Sequence, residues 1–398
     1  MADRTEESLI EGIAPKKVEH EAPFEEKEFK AWHKPRKQWV RKEQWLKETE
    51  SLISRLQLAE RPLLRYLSLP GEDMLDVRIL ANFCKEKGLS LKCLAYDEGA
   101  RSRTSRTEIN ISWNEVSNNI VATSTLLSDN IAVLKNVRSQ AFSYVPEHGP
   151  FDIINLDLCG SVSCINYPDN HQVLKNLCEY QANHSREPWL LFLTTRAEYE
   201  KVNIEDLPHY LKNLKVNAED SRRFGDRLAE ITGFDIHGCD WDVDPTVLFG
   251  ECTGKAFVKL FAAGFGKWLL RLMSGGQNAW EVEMLDSCWY RVENNQTPKS
   301  FPNMLSLAFR LSPISVRLLD PSGLTTSNPE AEVDEKNLAM GILETTERFI
   351  DLDLKIDRDA SLYNNLVEGS ASLLKAARYS VEGYAEWAEE KRIRFGPN

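Results

Sequence analysis

LLRYLSLPG, residues 63–71, is an apolar run closed by Pro-Gly, and EDMLDVRILANFCKEKG (72–88) follows it with a helical spacing of apolar residues. A second apolar run, LSLKCLAY (89–96), ends in the acids Asp97 and Glu98. After the basic loop GARSRTSRT (99–107) comes STLLSDN (124–130), carrying Asp129 and Asn130 at its end. A further helical pattern leads into FDIINLDLCGS (151–161), whose apolar part ends in Asp157. Short apolar runs alternating with amphipathic helices predict an open, mostly parallel α/β sheet. In such a sheet ligands bind outside the carboxyl ends of the strands, where these acids fall.

Outward from this stretch, the chain divides by composition. Residues 1–28 are charged and contain prolines, and are expected to form a flexible arm. Residues 29–60 begin with FKAWHKPRKQWVRKEQWLK (29–47), in which Trp32, Trp39 and Trp45 are interleaved with Lys30, Lys34, Arg36, Lys37, Arg41, Lys42 and Lys47. Trp39, Leu46 and Ile53 recur at seven-residue spacing, which predicts a helix over about 36–57 with one apolar face covering the sheet. The α/β core is expected over 61–275. It includes PWLLFLTTR (188–196) as a buried strand, SRRFGDRLAEITGF (221–234) as a helix, IHGCDWDV (236–243) and TVLFG (246–250) as strand candidates, and 254–274 as an apolar helix. AWEVEMLDSCWYRVE (279–293), NMLSLAFRL (303–311) and SVRLLD (315–320) read as strands, so 276–325 is either an antiparallel extension of the core or a small subdomain. An acidic linker over 326–360 and a long C-terminal helix within 361–398 complete the layout.

Composition narrows the function. A net charge of −12 argues against a protein that coats nucleic acid along its whole surface, while leaving room for a local basic patch. The eight cysteines form no CxxC pair and no zinc spacing, and several lie in apolar runs, which suits buried thiols in a reducing cytoplasm. No metal site is expected. No apolar run reaches the length of a membrane span, and the polar start has no secretory h-region.

Several signals carry two readings. Acids at strand ends serve either as helix N-caps or as ligand contacts. Cys159 is a small hydrophobe, or a nucleophile if a base such as His171 or His184 lies beside it. The basic aromatic stretch either packs with its cations solvated, or uses Arg36, Lys37, Arg41 and Lys42, with Arg101, Arg103 and Arg106 of the loop, to hold a nucleic-acid backbone. The glycines of AAGFGKW (262–268) favour close helix packing over phosphate binding.

Over roughly residues 60–265 the layout resembles class I S-adenosylmethionine-dependent methyltransferases, with their doubly wound Rossmann-like fold. The resemblance implies that LSLPG (67–71), with Pro70 and Gly71, forms the turn against the cofactor. It also implies that Asp97, with Glu98, holds the ribose, that Asp129, with Asn130, contacts the adenine, and that Asp157 in DLCGS orients or deprotonates the methyl acceptor. The chain departs from the family in having Glu72 and Asp73 after Pro70-Gly71 in place of a multi-glycine loop; these acids suit a helix start but disfavour a phosphate there. No DPPY- or NPPF-type motif follows the fourth run, so base-amino methylation is not signalled. The form Asp-x-x-Gly in DLCGS is similar to methyltransferase-like proteins of bacterial mobile and defence islands. The expected activity is therefore methyl transfer to a nucleic acid or a protein, in an anti-phage setting. The alternative is a non-catalytic subunit that senses a nucleotide or docks protein partners through its C-terminal helical segment.

Overall fold

The computed structural model describes residues 27–56, 58, 62–98, 103–158, 160–163, 169–202, 206–233, 254–275, 278–292, 301–314 and 333–395. Among them are nine strands in one mixed sheet and twelve helices. The strands are β1 Leu63–Ser68, β2 Ser90–Tyr96, β3 Thr125–Leu127, β4 Ile153–Asp157, β5 Trp189–Arg196, β6 Trp280–Met284, β7 Cys288–Tyr290, β8 Met304–Pro313 and β9 Ile350–Asp351. Their order is β3-β2-β1-β4-β5-β8-β7-β9, with β6 also paired to β8. The first five are parallel; Tyr66 sits opposite Cys93 on one side and Ile153 on the other. β8 runs antiparallel to β5, with Phe192 opposite Ala308, and β6 and β7 pair with β8, so these three strands extend the main sheet.

Helix α1 is continuous from Pro35–Trp39 through a π-helical stretch, Val40–Leu46, into Lys47–Ile53. Pro35 at its start needs no backbone partner for a missing N–H. The others are α2 Leu75–Glu86, α3 Arg103–Ser117, α4 Gln140–His148, α5 Asp169–His184, α6 Leu207–Asp220, α7 Arg222–Thr232, α8 Lys255–Ser274, α9 Glu335–Glu347, α10 Leu352–Arg358, α11 Ala360–Ala376 and α12 Tyr384–Glu390. Local chemistry sets several ends. Ser221 accepts from the Phe224 N–H at the start of α7, and left-handed Gly233 (φ 71°) closes it.

Alternation of side chains along the strands divides the core into two layers. Leu64, Tyr66, Cys93, Ile153, Leu190, Phe192 and Ala308 face α1, α2 and the C-terminal helices. Leu67, Leu94, Ile154, Leu156, Leu191, Leu193 and Phe309 face α4–α9. β4 and β5 are buried on both faces and so read as nearly continuous apolar runs. On the first face α1 contributes Trp39, Val40, Trp45 and Leu52, each fully or nearly buried. Each such side chain stabilises the fold by about 2 kcal/mol.

Four expectations differ from the structure. From Arg103 onward the basic loop is helix α3, the crossover that a parallel β2–β3 pair requires. The acidic linker is folded from 333 on: α9 packs on the sheet, and Asp351 and Asp353 are built into its edge. The long C-terminal helix is two, α11 and α12, divided where Arg378 (φ 68°) and Gly383 (φ 75°) take left-handed backbone. Finally, 279–293 is two strands, broken between Met284 and Cys288. Helix α6 was not anticipated. The segments 1–26, IHGCDWDV, TVLFG and SVRLLD lie outside the described residues, and no helix among the described residues is long and apolar enough to cross a membrane.

Candidate functional site at the carboxyl ends of β1 and β4

β1 is followed through α2 by β2 on one side, and its other neighbour is β4. The strand order therefore reverses between β1 and β4, and this gap is where an open α/β sheet offers a crevice. Gly71 turns the chain out of β1 with φ 65°, is exposed, and has open space where a side chain would stand. Glu72, Asp73 and Asp76 follow it. Asp157 closes β4 on the other wall.

Asp76 anchors a buried polar network. Tyr66 Oη donates to Asp76 Oδ2 at 2.6 Å, Ser68 Oγ donates to the same oxygen, and Asn155 Nδ2 donates to Tyr66 Oη at 2.8 Å. Burial, and then the Asp76 carboxylate, push the Tyr66 hydroxyl well above its ordinary pKa, so it stays a donor. This network ties β1 to β4 just below the crevice.

The crevice is bridged by the segment that leads into α1. Lys27 Nζ lies 3.0 Å from Asp73 Oδ1, and Lys30 Nζ pairs with Glu72. His33 Nε2 lies 3.2 Å from Asp73 Oδ2, and Lys37 Nζ lies 2.5 Å from Asp157 Oδ1 and 3.4 Å from Thr194 Oγ1. The C-terminal part closes over the same segment. Tyr379 Oη donates to Asp73 Oδ2 at 2.8 Å, and Tyr384 Oη donates to the His33 carbonyl at 2.6 Å. Burial alone would raise the Asp73 carboxyl, but hydrogen bonds from His33, Lys27 and Tyr379 and the Lys27 charge outweigh it and hold the group at about 2.

The four cations expected as a nucleic-acid patch are mostly turned inward. Arg36 pairs with Asp353 at 2.9 Å and donates to the Arg291 carbonyl. Lys37 is on Asp157, and Arg41 Nη2 donates to the Trp32 carbonyl at 3.2 Å. All three residues are about 6% exposed, so none reaches a phosphate without leaving its partner. The buried face of α1 explains this: Arg36, Lys37 and Arg41 share it with Trp39, Val40 and Trp45, which pack on the sheet. Lys42 stays exposed beside Gly369 of α11. Arg101 lies outside the described residues; Arg103 opens α3, and Arg106 on that helix is exposed.

The β2–β3 side of the crevice is less covered. Asp97 and Glu98 are half-buried, Asp129 is exposed, and Asn130 Nδ2 donates to the Glu98 carboxylate. The Asp97 N–H donates to the Leu127 carbonyl at 3.0 Å, which continues the β2–β3 ladder up to the acid. Asn130 also accepts from the Ala132 N–H at 2.8 Å as a cap, so the capping reading and the ligand-side placement hold together for it. Pro70 and Gly71 lie on the adjacent wall. Beneath α1, a cavity of about 20 Å³ lined by Arg41, Tyr66, Asp76 and Asn155 has room for about one water.

Cys159 lies outside the described residues. His184 Nδ1 donates to the Tyr180 carbonyl, within its own helix. His171 packs on Trp268 with ring centroids 4.3 Å apart, and burial pulls its pKa down. No group of His, Cys, Asp and Glu among the described residues is arranged to hold a metal ion. From sequence, Asp73 stood out only as one of two acids after Pro-Gly, and nothing local marked Asp76 or His33.

These observations define an α/β protein with an acid-lined crevice at the reversal point of its sheet, bridged by its own N-terminal segment. Over residues 26–389 the chain matches the PP_RS20740-like family and belongs to it. No curated protein and no solved structure matches it.

Proposed function

We propose that the protein binds S-adenosylmethionine at the carboxyl ends of β1, β2 and β3 and has a Rossmann-like, methyltransferase-type core. The observation that carries this reading is the strand order β3-β2-β1-β4-β5, with Gly71, Asp97 and the Glu98–Asn130 pair on one side of its reversal point and Asp157 on the other. Asp97 would accept from the ribose hydroxyls, Asp129 and Asn130 would meet the adenine edge, and Gly71 would let the backbone approach the ligand. Methyl transfer would then rest on positioning of donor and acceptor in line, with Asp157 holding the acceptor. The acceptor expected from sequence is a nucleic acid or a protein, in a cytoplasmic, anti-phage setting. Thermal shift with S-adenosylhomocysteine on wild type and Asp97→Ala tests the site: a rise in melting temperature in the first that is lost in the second supports it, and no rise in wild type contradicts it.

One observation favours a second reading. Lys37 holds Asp157 at 2.5 Å, and the Lys37 side chain is only 7% exposed. An external acceptor meets that ion pair before it meets the carboxylate. In this reading the core binds the nucleotide as a sensor, and the C-terminal helices α11 and α12, already tied to the crevice through Tyr379 and Tyr384, report its state to a protein partner. Loss of biological activity on Asp97→Ala, with full retention on Asp157→Asn, distinguishes the sensor from the transferase.

A further inference from the structure

We propose that the protein binds a small inorganic anion, a halide such as chloride, in a pocket where the entry to α1 meets α11 and the turn after α12. The pocket has a volume of about 20 Å³ and is lined by Lys34, Arg36, Tyr363, Lys391 and Arg392, with Asp353 as the one acid among its described lining residues. That is room for a single water-sized particle, which suits a halide and excludes an organic ligand. The inference holds whatever the crevice between β1 and β4 binds.

Two features of the pocket favour an anion over a water. The first is charge. Asp353 is already matched, with Arg36 at 2.9 Å and Arg291 at 3.2 Å. Lys391 pairs with Glu390 at the rim, at 2.8 Å. Lys34 is about 6% exposed and the Arg392 side chain 7%, so both cations are held out of bulk water. Arg392 lies over the Tyr363 ring, 3.9 Å from its centre. Its Nη2 donates to the neutral carbonyls of Ile356 and Asp357 at 3.1 and 3.2 Å, and its Nη1 is 3.5 Å from Glu389. Buried cations with so little close negative charge favour an added anion.

The second feature is the set of orphaned groups. Arg392 Nε and Tyr363 Oη are buried and have no hydrogen-bond partner among the described residues. Asp357 Oδ1 stands 3.9 Å from Arg392 Nε, beyond hydrogen-bond reach. Both groups can donate, and a halide accepts from several donors while needing no acceptor in return. The cavity beneath α1 has the same volume and a different set. There Arg41 Nε and Trp45 Nε1 are orphaned donors and Asn155 Oδ1 an orphaned acceptor, the mixture that a water satisfies. An anion between Arg392 and Lys34 would tie the C-terminal part to the segment that bridges the crevice, and so add to the closure made by Tyr379 and Tyr384.

The test is thermal unfolding of the full chain in sodium chloride and in sodium gluconate at matched ionic strength, with a crystal grown in bromide to place the ion by its anomalous signal. The expected result is a saturable rise in melting temperature of about 1–2 °C in chloride over gluconate. A bromide peak should lie within hydrogen-bond distance of Arg392 Nε. Tyr363→Phe keeps the ring under Arg392 and removes only the orphaned hydroxyl; it should raise the chloride concentration at half effect by about threefold or more. Arg392→Lys, which keeps a charge and lacks Nε, should abolish the difference between the two salts. Equal curves in chloride and gluconate overturn the proposal, and so does a chloride effect that Tyr363→Phe leaves unchanged. A crystal with bromide bound only outside this pocket overturns it as well.

Discussion

His33 Nε2 lies 3.2 Å from Asp73 Oδ2, and the Lys30 N–H donates to His33 Nδ1 at 3.0 Å. Because Nδ1 accepts, the proton of the neutral ring is on Nε2, and that N–H donates to Asp73. The two bonds fix one tautomer and join the segment before α1 to the turn after β1. Protonating Nδ1 would cost the bond from Lys30.

This pair makes stability depend on pH. Burial, the largest cause, lowers the His33 pKa below its usual value of 6.5. A group whose folded pKa is depressed contributes stability that is present above its unfolded pKa and is lost as pH falls through the folded one. Asp73, lowered from 3.8 to about 2, follows the same sign at lower pH and contributes roughly 2 kcal/mol above pH 4. Urea denaturation should show stability falling as pH drops from 7 to 5, and His33→Asn should flatten that slope. A slope unchanged in the variant would show that other groups cause it.

Asp353 serves two buried guanidinium groups. It pairs with Arg36 at 2.9 Å, and it accepts from the Arg291 N–H at 2.7 Å while Arg291 makes a two-pronged pair with Asp351. Asp353→Ala would leave buried charge uncompensated and should cost about 3 kcal/mol. The exposed Lys47–Asp286 pair is the control: Asp286→Ala should change stability by less than about 0.5 kcal/mol. Chemical denaturation of both variants checks the contrast.

The glycines of α8 answer to packing. A side chain at Gly264 would meet Tyr210 Cβ at 2.8 Å, and one at Gly266 would meet Ile342 at 2.9 Å. Gly264→Ala should therefore destabilise by about 1–3 kcal/mol. Gly341 in α9 has open space instead, so Gly341→Ala should stabilise by about 0.5–1 kcal/mol through helix propensity. Melting temperatures moving in opposite directions would bear this out.

Trp45 and Phe192 stack α1 on the sheet with ring centroids 6.1 Å apart. Phe192→Ala should cost about 3–5 kcal/mol, and it should loosen α1 together with the strand. Hydrogen exchange read across 35–53 and 189–196 would show both segments opening, whereas an effect confined to β5 would separate them.

What the sequence made legible was local. Apolar runs of strand length placed β1, β2, β4, β5 and β8, and the seven-residue spacing of Trp39, Leu46 and Ile53 placed α1 over the sheet. Acids at run ends placed Asp97, Asp129 and Asp157 at the carboxyl edge. What it hid was pairing across long separations. Lys37 and Asp157 stand 120 residues apart, and Arg36 and Asp353 farther still. A run of lysines and arginines looks the same whether it meets a phosphate or the protein's own carboxylates. The acidic segment reads as a linker for the same reason, whereas Asp351 and Asp353 are the partners of Arg36 and Arg291. The break between α11 and α12 was hidden because Arg378 carries no local sign of left-handed backbone.

The central claim is that the crevice between β1 and β4 takes S-adenosylmethionine. Titration calorimetry of the full chain with S-adenosylmethionine, S-adenosylhomocysteine and ATP tests it most directly. The account predicts saturable heat with the first two, lost in Asp97→Ala, and none with ATP. Folded protein that gives no heat with either adenosyl ligand at high micromolar concentration, or that binds ATP in preference, would contradict it.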